Sequence, residues 1–120
     1  MKYTDLGYLI QRTKNNSEMI MGVISAYLEQ TPPLILAMKR GLQDKDWNTL
    51  HAAVHKMIPS FAIMGMSTDF ENMAKKILEY ARNQQQAEGL SELVAQLENV
   101  CTQACKELET EFNKFKETQS

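Results

Sequence analysis

His51 and His55 are the only histidines of this 120-residue chain. They lie in the stretch Leu50-His51-Ala52-Ala53-Val54-His55-Lys56-Met57-Ile58-Pro59-Ser60-Phe61. An imidazole with its ordinary pKa of about 6.5 offers a neutral, nucleophilic nitrogen near pH 7. Two chemistries suit the pair. The four-residue spacing is that of two zinc ligands on a helix, but the metalloprotease pattern needs Glu directly after the first His. Ala52 stands there, so we assign no metal site. The second chemistry is transfer of a group through one accessible imidazole.

The helix that carries the pair decides which imidazole is accessible. At about 100° per residue, Trp47, Leu50, Val54, Met57, Ile58 and Phe61 share one apolar stripe. His51 falls about 60° from Val54, at the stripe's edge, and His55 about 100° away, at the solvent rim. The neighbours of His55 on that wheel are Ala52, Pro59 and Ala62, all small, so a large partner can approach its ring.

Other chemistry finds little footing. There is no Gly-rich phosphate loop, so the chain lacks the backbone cradle by which many proteins hold ATP. No Ser-His-Asp or Cys-His order is evident. Cys101 and Cys105 are four apart on a predicted helix with no second cysteine pair, and they read as small buried thiols. The eight methionines fall mostly on apolar stripes and read as core. Glu107 and Glu109 read as solvated helix surface. Thirteen Lys plus Arg against 15 Asp plus Glu leave a net charge of −2, which argues against nucleic acid as the main partner. No run of about 18 apolar residues suggests a membrane span. The N-terminus lacks the apolar core of a signal peptide, so a cytoplasmic location is expected.

The remaining segments read as helices. Glu, Lys, Gln, Leu, Met and Ala are abundant, and no segment alternates apolar and polar residues for long. Thr4 and Asp5 are placed to start a short first helix with Leu6, Leu9 and Ile10 on its apolar edge. Lys14 to Ser17 forms a turn. Ile20, Val23, Ile24, Tyr27 and Leu28 mark a helix over 17–30, in which Gly22 costs roughly 1 kcal/mol against Ala. Thr31-Pro32-Pro33 is expected to end it and to cap a second helix over 32–43. Asp44 or Asp46 caps the histidine helix, 46–64, with a bend or loosening at Pro59. After a turn at Gly65 and Ser67, Thr68 and Glu71 fit a capping box for a helix over 68–84. The polar stretch 83–89 loosens the chain before a last helix, 88–116, with fraying after Lys116.

These elements predict an all-α protein: an antiparallel four-helix bundle with additional short N-terminal helices, forming one domain over 1–120 with its core roughly within 4–115.

The run Ala53-x-His55-Lys56-x-x-Pro59-Ser60-Phe61-x-x-x-Gly65, preceded by Asp44-Lys45-Asp46-Trp47, resembles the histidine-containing phosphotransfer (HPt) domain family. Ala26 to Pro33 followed by Leu34 to Leu42 resembles the helices that precede the family's histidine helix, and the likeness covers nearly the whole chain. It implies that His55 is the phosphoryl acceptor, reacting through Nε2. It also implies that Asn48, Ala52, Lys56, Pro59 and Ala62 form the docking surface, with Lys39 near its rim. The implied partners are response-regulator receiver domains and a hybrid sensor histidine kinase. No cofactor belongs to the module itself, which would be a phosphoryl carrier rather than an enzyme; Mg²⁺ would sit on the receiver. A monomer is expected. The family usually has Lys three residues after the histidine and then Gly, whereas this chain has Ile58 and Pro59. That departure keeps open an alternative, a degenerate HPt-like bundle that docks a receiver without relaying phosphate.

Overall fold

The computed structural model describes residues 2–84 and 88–119, with side chains through residue 117. Among them are five helices and no strand: α1 (Gly7–Arg12), α2 (Ser17–Gln43), α3 (Trp47–Ile63), α4 (Thr68–Arg82) and α5 (Glu88–Gln119). Residues 85–87 of the predicted polar connection lie outside the described residues.

The predicted break at Thr31-Pro32-Pro33 is absent, and α2 is one helix of 27 residues. A proline removes the bond its N–H would make to the carbonyl four residues earlier, here Leu28 and Glu29. Pro32 and Pro33 are exposed, so water reaches that side of the helix. On the opposite side Ile24, Tyr27, Thr31 and Met38 are buried, and this continuous apolar face carries the helix through the prolines. Thr31 is therefore a core residue, not a cap.

Several helix starts also differ in detail from expectation. Thr4 does not cap α1; the Asp5 carboxylate accepts from the Gly7 N–H at 2.9 Å. Ser67, one residue before Thr68, caps α4 by accepting from the Asp69 N–H, and Glu71 pairs with Lys75 instead of closing a capping box. α4 ends at Arg82, two residues early, and α5 continues to Gln119. The turn before α2 is as predicted, with Lys14 and Asn15 at positive φ and Asn16 accepting from the Met19 N–H at 3.1 Å.

Each long helix buries one stripe. Ile20, Ile24, Tyr27 and Met38 come from α2, and Leu50, Val54, Met57 and Phe61 from α3. They meet Ala74 and Ile77 of α4, and Leu90, Leu97, Cys101 and Leu108 of α5. α2 packs on α3 and α5, α3 on α4, and α4 on α5, in a body of 50 × 23 × 22 Å. No helix among the described residues is long and apolar enough to cross a membrane.

Two glycines are set by space. Gly65 has φ +65°, and a side chain there would run into the backbone of Asp5. Gly41 is buried where α2 meets the start of α3. Gly22 has no atom of a neighbouring helix near it, so no packing need explains it.

Glu107 departs furthest from its predicted role. Its carboxylate accepts from the Tyr3 N–H at 2.7 Å, the Thr4 N–H at 2.9 Å and the Thr4 hydroxyl at 2.8 Å. The Asp5 N–H donates to the Met64 carbonyl at 2.9 Å, and the Tyr3 ring stacks on Phe70. Residues 3–5 thus form a strap from α5 to the α3–α4 turn.

Candidate functional site

The candidate site sits on α3, which is held at its start by Asp46. One carboxylate oxygen accepts from the Thr49 N–H at 3.2 Å and the other from the Thr49 hydroxyl at 2.7 Å. These bonds hold the Asp46 carboxyl below its usual range. The buried face of Leu50, Ala53, Val54, Met57 and Phe61 then fixes the rotation of the helix about its axis. With that face inward, His55 is exposed and His51 half-buried, as the helical spacing requires. Their rings stack with centroids 5.9 Å apart and planes 28° apart.

α3 runs through Pro59 without a break. The N–H missing at Pro59 leaves the His55 carbonyl without its helical donor. One residue on, the Ser60 hydroxyl turns back to donate to the Met57 carbonyl at 2.7 Å.

Beside His55 lies a groove of about 540 Å³ between α2 and α3. His55, Lys56 and Pro59 line it from α3, and Gln30, Pro33 and Leu34 from α2. Its floor and walls are largely apolar, its polar groups are an imidazole, an ammonium and an amide, and no carboxylate lines it. An accessible nitrogen nucleophile beside a cation and a hydrogen-bond donor suits a tetrahedral anion.

The five predicted docking residues are all exposed. Lys56 and Pro59 line the groove, whereas Asn48, Ala52 and Ala62 are surface positions of α3 outside it. Lys39 does not belong to this rim. Its ammonium lies 3.0 Å from Glu98 on α5, and it lines grooves on the α2–α5 side. Ile58 is partly buried against the core.

Gln30, Pro33 and Leu34 are not among the predicted site residues, because the expected helix break at Thr31-Pro32-Pro33 falls among them. The signal was present. Pro33 and Lys56 stand at equal distances from the turn at Asp44 and Lys45, so an unbroken α2 folding back as α3 brings them side by side.

The thiols lie elsewhere. Both are free; burial pushes Cys101 up to about 12 and Cys105 up to about 11. Among the described residues no three His, Cys, Asp or Glu side chains gather as metal ligands. Comparisons of the chain with protein-family models, curated proteins and solved structures gave no match.

Proposed function

We propose that this chain is a histidine phosphotransfer module of a multistep phosphorelay, and that its four long helices form an antiparallel four-helix bundle with α1 added at one end. It takes a phosphoryl group from a receiver-domain aspartate onto His55 and passes it to another receiver. The observation that carries this reading is an exposed imidazole in mid-helix, beside a groove that bears a cation and an amide and no carboxylate.

The chemistry asks little of the module. The lone pair of one neutral imidazole nitrogen attacks the phosphorus of the aspartyl phosphate. The N–P bond forms as the P–O bond to the aspartate breaks, and the carboxylate leaves with the electron pair. The proton on the other ring nitrogen stays there or passes to water. Transfer onward reverses these events on a second aspartate. The donor is already a high-energy acyl phosphate, and Mg²⁺ on the receiver would neutralise the moving charge. The module's contribution is position: a nucleophile on a well-packed helix, under a surface that a partner can cover.

The partly buried Ile58 favours a second reading, in which the chain docks a receiver and relays nothing. One experiment separates the two. The protein is mixed with phosphorylated receiver domains and Mg²⁺, and acid-labile, base-stable phosphate on it is measured. Label that disappears in His55→Gln, with helicity unchanged, supports the relay. Binding without label supports docking alone, and absence of both overturns the proposal.

A further inference from the structure

The family's lysine position holds Ile58, and the structure shows where another cation stands. About the axis of α3, at about 100° per residue, Ile58 and His51 fall on one side of His55. Pro59 and Lys56 fall on the other, the side that faces α2 across the groove. Ile58 has turned against the core, leaving no cation on its flank at that position. The α2 flank has Lys56 from α3 and the side-chain amide of Gln30 from the opposite wall.

We infer that the phosphoryl group on His55 lies in the α2–α3 groove, held by the Lys56 ammonium and the Gln30 amide, on the opposite side of the histidine from position 58. The inference rests on the phosphotransfer reading above. Three features argue for it. The groove holds both donors and no carboxylate, so a dianion meets attraction without an opposing charge among its walls. Both donors are exposed in the unmodified protein, so neither must break a buried contact to reach the anion. Pro33 and Pro59 flank the groove and bring no N–H of their own. Recognition of the anion therefore falls to the two long side chains. Lys56 offers a rotatable point charge and Gln30 a directed N–H, which together can follow the phosphoryl group as it moves between aspartate and histidine.

The test does not depend on a receiver. Phosphoramidate phosphorylates histidine directly: its P–N bond breaks, ammonia leaves and the imidazole–phosphorus bond forms. The protein is labelled this way, with His55→Gln as the blank, and the last ionisation of the phosphoryl group is followed by ³¹P NMR. A nearby ammonium favours the dianion. Lys56→Gln should therefore raise that midpoint by roughly half a pH unit, and Lys56→Arg should restore it. Transfer between receiver and protein, measured at saturating receiver, should slow roughly threefold to tenfold in Lys56→Gln and in Gln30→Ala. Ile58→Lys should leave the midpoint where it is.

A midpoint unmoved in Lys56→Gln but lowered in Ile58→Lys overturns the inference and leaves the relay standing. A midpoint raised in Lys56→Gln, with no transfer from any receiver, overturns the relay while supporting Lys56 as the group that holds the phosphoryl.

Discussion

A Cβ placed on Gly41 would stand 2.7 Å from the backbone nitrogen of Leu50 and 3.0 Å from its Cα. Glycine is what lets α2 come this close to α3, and these two helices are the walls of the His55 groove. Gly41→Ala gains roughly 1 kcal/mol of helix propensity but must push α3 away, at a cost of about 1–3 kcal/mol. We expect a net loss of about 1 kcal/mol in urea unfolding. Gly22→Ala, with open space around it, should instead gain about 0.5–1 kcal/mol. Equal effects at the two sites would contradict the close approach.

The prolines of α2 give a second prediction. Pro32 is exposed and lies outside the His55 groove. Pro32→Ala restores a hydrogen bond to the Leu28 carbonyl, while freeing the unfolded chain somewhat. It should raise stability by about 1–2 kcal/mol in thermal or urea unfolding and leave the phosphoryl transfer proposed for His55 unchanged.

Glu107 should make stability depend on pH. Partial burial works against its ionised form, but bonds from Tyr3 and Thr4 prevail and hold its carboxyl below the usual carboxylate range. Its folded-state value is thus lower than its unfolded one. The contribution is complete above the ordinary carboxylate range and disappears as pH falls through the lower, folded value. Glu107→Ala should cost about 1 kcal/mol near pH 7, modest because water reaches the carboxylate. Unfolding curves measured from neutral to acid pH should converge for the two proteins at the acid end.

The thiols should be slow. With Cys105 pushed up to about 11, its thiolate fraction at pH 8 is roughly a hundredfold below that of a thiol at the unperturbed value of 9.0. Alkylation of the native protein at pH 8 should lag behind that of the urea-unfolded chain by about that factor or more. Cys101, at about 12 and buried, should react last.

Much of this arrangement was legible from residue types and spacing. Of the predicted stripe, Leu50, Val54, Met57 and Phe61 are buried and Trp47 and Ile58 are partly buried against the core, and His55 lies outside it where a 3.6-residue period puts it. Asp46 and Asn16 cap as short polar side chains before apolar runs do. What could not be read depended on contacts distant in sequence. Proline propensity argued for a break in α2, and burial on the opposite side of the helix outweighed it. Nothing local distinguishes Glu107 from Glu109, because the donors that select Glu107 come from the other end of the chain. The α2 wall of the groove was missed for the same reason, since Gln30 and Leu34 gain meaning only when α3 folds back beside them.

The strap also bears on the order in which the chain assembles. Of the four main helix interfaces, three join successive helices, whose ends are brought together at small entropic cost. The bonds from Tyr3 and Thr4 to Glu107 span 104 and 103 positions and have nothing to hold until α5 is in place. Such distant contacts are rewarded only after the intervening loop entropy has been spent. The ends of the chain should therefore meet last in folding and part first on local opening, with the amides of Tyr3 and Thr4 exchanging ahead of those in α3. The helical hairpin that carries His55 would stay closed throughout.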